Sequence, residues 1–131
     1  MNQNFRFTLV IKISKMRDFN PYTLYLPLKK KYFDMILAGI KLEEYREIKD
    51  HWCNIFCGKE WYKYEIGVLD QAIKLFPETI TFTNGYNPKS PRLVIECKGI
   101  TVGKAVPEWS DNWLGDVFVI KLGKIISTKN T

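Results

Sequence analysis

Apolar residues recur in two rhythms along this chain. Phe5, Phe7, Leu9, Ile11 and Ile13 alternate with Arg6, Thr8, Val10 and Lys12, the period of a strand with one apolar face. Such a strand belongs to the sheet or is added at its edge, and residues 15–22 then read as a polar connection. Tyr22 to Leu28 is a β-rich run whose Pro27 suits a strand end or edge. The period then lengthens. Tyr32, Phe33, Ile36, Leu37 and Ile40 form one stripe of a helix that opens after Lys29–Lys31. Asp34 is expected in its first turn, where a carboxylate suits the helix dipole, and Gly39 is expected to supply the left-handed turn that stops it.

Leu42 to Lys49 reads as a strand with Glu44, Arg46 and Ile48 on one face and Glu43, Tyr45 and Glu47 on the other. Asp50 to Trp61, rich in aromatics and holding Gly58, reads as a loop with a short helical turn. Ile66, Leu69, Ile73 and Phe76 have near-helical spacing, which suggests a short amphipathic helix. Residues 79–83 alternate Thr with Ile80 and Phe82, Asn84-Gly85 and Asn87-Pro88 signal turns, and residues 92–100 form the next strand, together a hairpin with a longer loop. Gly99 and Gly103 mark bends or bulges. A polar loop holds Trp109, Trp113 follows, and residues 117–126 alternate as the last strand. Strands outnumber helices and do not alternate with them. The expected class is therefore α+β, a curled or barrel-like, mostly antiparallel sheet with one or two flanking helices.

At 131 residues, 46% hydrophobic and 15% aromatic, the chain suits one core. It divides into an N-terminal extension, 1–21, and a domain, 22–131. The formal net charge of +6 fits attraction to polyanions and equally an ordinary soluble basic protein. Three cysteines, Cys53, Cys57 and Cys97, are too few and odd for a disulfide framework. His51, Cys53 and Cys57 are at most half of a zinc site, and a second Cys/His pair is lacking. No metal or cofactor is implied. Residues 1–14 are too polar for a signal segment and no run reaches membrane-spanning length, so the expectation is a cytoplasmic protein without membrane partners, its oligomeric state open. Phosphate-binding glycine loops and Ser-His-Asp sets do not occur, which argues against those classes.

The chemistry concentrates in Gly39-Ile40-Lys41-Leu42-Glu43-Glu44-Tyr45-Arg46, a G-x-K-x-x-E-x-R pattern. A helix end delivers a lysine at a bend, then a strand on which Glu44 and Arg46 point the same way. The plain alternative is a solvated turn and a charged strand face.

This signature, with the helix before it, resembles the ASCH family of the PUA-like superfamily. Leu24 to Leu28 with Pro27 is similar to the strand entering the family's first helix, and Leu93 to Ile100 with Glu96 to a later strand, so the likeness spans about Tyr22 to Ile126. It implies a cleft between helix and barrel that binds RNA or a nucleotide. One branch of the family resembles amidohydrolases acting on acetylated cytidine. Carried over, that branch's site residues fall on Lys41, Glu44 and Glu96, with Glu44 standing where the branch has threonine. A carboxylate there changes charge and role. Two acids beside Lys41 favour its ammonium, which suits gripping an anion or a base carbonyl better than attacking one. Glu96 without the likeness reads as an exposed residue beside Lys98.

Trp52, Trp61, Tyr62, Tyr64, Tyr86, Trp109 and Trp113 fall mostly in expected loops near Lys59, Lys63, Lys89 and Arg92. They suit base stacking with phosphate contact, or equally a lid over a small core. Asn84, Gly85 and Tyr86 reach towards the cleft rim, and Trp52 flanks it. The candidate ligand-binding set is Gly39, Lys41, Glu44, Arg46, Trp52, Asn84 and Tyr86. A module for RNA or a nucleotide is the first expectation. A small hydrolase, an amidohydrolase or ribonuclease using Lys41 and Glu96, is the second. A protein-interaction domain using the N-terminal strand is the third.

Overall fold

Thr79–Thr83 (β3) occupies an inner position of a five-stranded sheet because its residues are buried on both sides of the strand. The computed structural model describes residues 22–111 and 114–131; the N-terminal alternating run, the extension 1–21 and Trp113 lie outside the described residues. The strands are β1 (Thr23–Pro27), β2 (Glu43–Glu47), β3, β4 (Arg92–Lys104) and β5 (Asp116–Lys129), in the order β1-β3-β4-β5-β2. Only β1 with β3 is parallel, Leu24 facing Ile80 and Leu26 facing Phe82. The other three pairings are antiparallel. The class is α+β, a curled sheet with, among the described residues, two α-helices, α1 (Lys30–Leu37) and α2 (Asp50–Cys57), and three 3-10 segments. No helix among the described residues is long and apolar enough to cross a membrane.

The strand β1 leads directly into α1, whose Tyr32, Phe33 and Ile36 are buried as the stripe requires. Ile40 lies beyond the helix and is exposed. Gly39 has φ +75°, the left-handed conformation that closes the last turn at little steric cost. Asp34 is not in the first turn; it stands a turn further in and pairs with Lys30 at 2.6 Å.

The segment after β2 corrects the sequence reading. Asp50–Cys57 is a two-turn α-helix, not a loop with a single turn. Cys53, Phe56 and Cys57 fall at helical spacing onto the core, and Ile55 joins them. Asp50 stands in the first turn and Gly58, at φ +86°, ends the helix. Its many aromatics are core and site residues on a helix. Burial pushes the Cys53 and Cys57 thiols up to about 11, so both remain apolar, protonated fillers. Among the described residues no group of three His, Cys, Asp or Glu is placed to hold a metal ion.

Ile66–Ala72 is a 3-10 stretch kinked at Val68, not an α-helix. Leu69, Ala72 and Ile73 are buried, but Phe76, expected on the same stripe, is 74% exposed. β3 and β4 form the expected antiparallel pair. Both β4 and β5 run further than their alternation suggested, to Lys104 and Lys129. Register shifts fall between Val94 and Gly99, and Gly99 sits there at φ +142°. Gly103 is not at a bulge; it faces Val117 in regular register.

Candidate functional site

Lys41 follows the helix stop, and its side chain is wholly buried. Its ammonium donates to the Trp109 carbonyl, lies 3.3 Å from Glu44 Oε1, and sits 4.9 Å and 4.6 Å from the ring centres of Tyr32 and Tyr45. Two aromatic faces, a carbonyl and a carboxylate thus enclose one cation. Burial holds the Lys41 pKa below the usual lysine value, with Glu44 pulling the other way. The sequence reading took the carboxylate as decisive; burial outweighs it.

Glu44 and Arg46 share a face of β2, as alternation demanded. Arg46 Nη2 donates to Glu44 Oε2 at 2.8 Å and to the Pro27 carbonyl at 2.9 Å. One carboxylate therefore links two cations, and the Pro27 bond fastens this end of β2 to the end of β1. The Arg46 guanidinium lies 4.8 Å from the Trp52 ring centre, and Trp52 stacks on Phe56. Helix α2 thereby supplies an aromatic shelf under Arg46. Arg46 Nε is buried without a hydrogen-bond partner, a donor whose capacity is unspent.

These groups border a recess of about 130 Å³ walled by Pro27, Leu28, Lys29, Tyr32, Glu44, Tyr45, Arg46 and residues Trp109–Asp111. Asp111 closes the wall opposite β2. Its Oδ1 accepts from Tyr32 OH at 2.8 Å and its Oδ2 from Lys29 Nζ at 2.9 Å. Lys29 and then Tyr32 hold the Asp111 carboxyl below its usual range. Burial, with Asp111 next, pushes the Tyr32 phenol up to about 12. On the other face of β2, Tyr45 OH donates to Glu43 Oε1 at 2.7 Å and accepts from the Val106 N–H at 3.1 Å.

Of the residues named from the sequence, Lys41, Glu44, Arg46 and Trp52 are brought together. Lys41 does not line the recess; it lies behind Glu44. Gly39 serves as the helix stop and borders a separate groove with Lys41, Leu42 and Gly123, although the Lys41 side chain itself is wholly buried. Asn84 donates to the Leu28 carbonyl at 2.9 Å, which fixes the rim, and Tyr86 follows it almost fully exposed. Glu96 is not brought in. It is exposed, and its carboxylate lies over Gly123 of β5. Its exposure agrees with the face that alternation gave it beside Lys98; only the family likeness pointed it to the cleft. Sequence reasoning missed Tyr32, Asp111 and the Trp109 carbonyl. Tyr32 shows in the sequence only as a member of an apolar stripe, Asp111 as a loop acid, and a backbone carbonyl carries no residue signature.

No family model, no curated protein and no solved structure matches this chain.

Proposed function

We propose that this chain is an ASCH-type, PUA-like domain that binds RNA or a nucleotide by seating a base or a phosphate group in the recess on β2. The observation that carries this reading is the Glu44–Arg46 pair at the recess wall, its guanidinium backed by Trp52 and holding one unspent buried donor. Arginine held over an aromatic ring, beside carbonyls and carboxylates, suits the edge of a heterocycle or a phosphate oxygen. At about 130 Å³ the recess falls below the roughly 300–1,000 Å³ of sites that enclose whole drug-sized ligands. That size favours one ring or one phosphate of a longer chain, the remainder lying outside. The exposed Tyr86 ring and Lys29 at the rim, with the overall charge of +6, suit stacking and phosphate contact there.

The hydrolase alternative has less support. Its two proposed groups are in different surroundings: the Lys41 side chain is wholly enclosed, and Glu96 is exposed over Gly123.

The test is titration of the protein with fluorescent single-stranded RNA across a salt series, beside single-stranded DNA and nucleoside monophosphates. Affinity that falls with rising salt and is lost in Arg46→Ala supports the reading. The absence of binding to every probe at low salt overturns it.

A further inference from the structure

Lys41 is the residue a reader of the sequence would send to the ligand, yet its ammonium has no route to it. Its side chain is wholly buried and does not border the recess. What it does touch is the carbonyl of Trp109, in a segment that forms the recess wall facing β2. Residues 105–111 run from the end of β4 across the site. They are fastened at three places: the Val106 N–H to Tyr45 OH, the Trp109 carbonyl to Lys41, and the Asp111 carboxylate to Tyr32 and Lys29. The anchoring residues run from Lys29, just before α1, through α1 to β2. The middle anchor alone is a buried cation, and the same cation holds Glu44 at 3.3 Å.

We propose that Lys41 is a positioning residue, an internal latch that draws the 105–111 strap down onto β2 and so sets the width of the recess. It acts on a ligand through the Trp109 backbone and through Glu44, never by contact. The chemistry fits the role. An ammonium offers donors in several directions, so one atom can tie a carbonyl on the strap and a carboxylate on the strand at once. The faces of Tyr32 and Tyr45 take up its remaining exposure. A methionine would fill the same space and tie nothing. The apolar rest of the strap, Ala105, Val106 and Trp109, packs against Tyr45, Val117 and Val119. Loss of the latch therefore loosens the strap without unfolding it.

The part of this inference that concerns ligand affinity rests on the RNA or nucleotide reading above; the part that concerns the strap does not. In Lys41→Met, hydrogen exchange at the amides of 105–111 rises roughly tenfold or more, as expected when a charge-assisted bond is lost, and exceeds the smaller increase in β3 and β4 that loss of the Glu44 pair brings. A uniform rise across the sheet would make Lys41 a general stabiliser and overturn the latch. RNA affinity falls in the same variant with the salt slope unchanged, because no phosphate contact is removed. A slope shallower by about one, with strap exchange unaltered, would make Lys41 a contact residue. Acylation of the wild-type protein by an amine-reactive ester gives a reading that needs no variant to fold. Lys30 and Lys63 react, and Lys41 does not, with or without RNA. Lys41 labelled at their rate and protected by RNA would overturn the proposal. A protein that binds no RNA but shows the localised exchange would end the RNA reading and leave the latch standing.

Discussion

Glu44 holds two cations with its two oxygens: Oε1 is 3.3 Å from Lys41 Nζ and Oε2 accepts from Arg46 at 2.8 Å. Replacing it by glutamine leaves both cations buried with no counter-charge. Breaking a buried pair from one side costs about 3–5 kcal/mol, and Glu44→Gln is expected to lose that much in urea unfolding. The loss has a pH signature. With Glu44 gone, burial alone acts on Lys41, whose pKa drops further below the unfolded value of 10.5. Across that window the unfolded chain binds more protons than the folded one, so stability rises with pH. The deficit of Glu44→Gln should therefore shrink as pH approaches 10.5. A deficit that is flat with pH would mean that Lys41 does not feel the change.

Tyr86 separates binding from stability. It is 91% exposed, beside the rim that Asn84 fixes. Removing an exposed side chain that holds no structure changes stability by about 0.5 kcal/mol or less. Losing a stacking ring costs about 1–3 kcal/mol of affinity for a single strand. Tyr86→Ala should therefore keep the wild-type urea midpoint and bind RNA at least several-fold more weakly in the same titration.

Gly85 carries that tyrosine. At φ +120° with the Ser90 hydroxyl where a Cβ would stand, the position admits no side chain without strain. Gly85→Ala is expected to cost about 1–3 kcal/mol by thermal or urea unfolding. RNA affinity should fall as well, since the turn between Asn84 and Ser90 must reshape. Stability equal to wild type would show that the turn is not held as described.

Tyr32 gives a second pH dependence. Its phenol is pushed up to about 12 from 10.0, by burial first and Asp111 next. The folded state then keeps a proton that the unfolded chain gives up, so its contribution is complete below 10.0 and is lost as pH rises to about 12. Absorbance titration of tyrosinate should show both Tyr32 and the buried Tyr45 ionising late, and Tyr32→Phe should reduce that late step by one tyrosine. Stability of the variant should fall less steeply than wild type over that interval. An unchanged titration curve in Tyr32→Phe would refute the assignment.

Much of the architecture was legible because period alone specifies it. Thr79–Thr83 alternates cleanly, α1 carries its stripe from Tyr32 to Ile36, and Gly39 marks the stop. The Glu44–Arg46 pair was legible for the same reason, since a strand places them on one face. The misses have physical causes. Asp50–Cys57 hid its helix behind aromatic residues that are apolar on one side and site-facing on another. Glu96 was sent to the cleft by the family likeness, while its alternation with the buried Leu93 and Ile95 already read as exposed, which it is. The partner of Lys41 lies 68 residues away and is a main-chain atom, so no side-chain pattern announces it.

Among the described strands β2 pairs with β5 alone. During synthesis, the stretch bearing Glu44 and Arg46 therefore has no neighbour to zip onto until residues 116–129 have emerged. The parallel β1–β3 pair likewise waits for a loop running from residue 28 to 78 to close, which makes assembly dominated by distant pairings and slow. Through that interval two basic side chains and a carboxylate stay in water, where their charges are satisfied. Their desolvation comes with the final strand, so the recess is born in a single late step and cannot exist half-made.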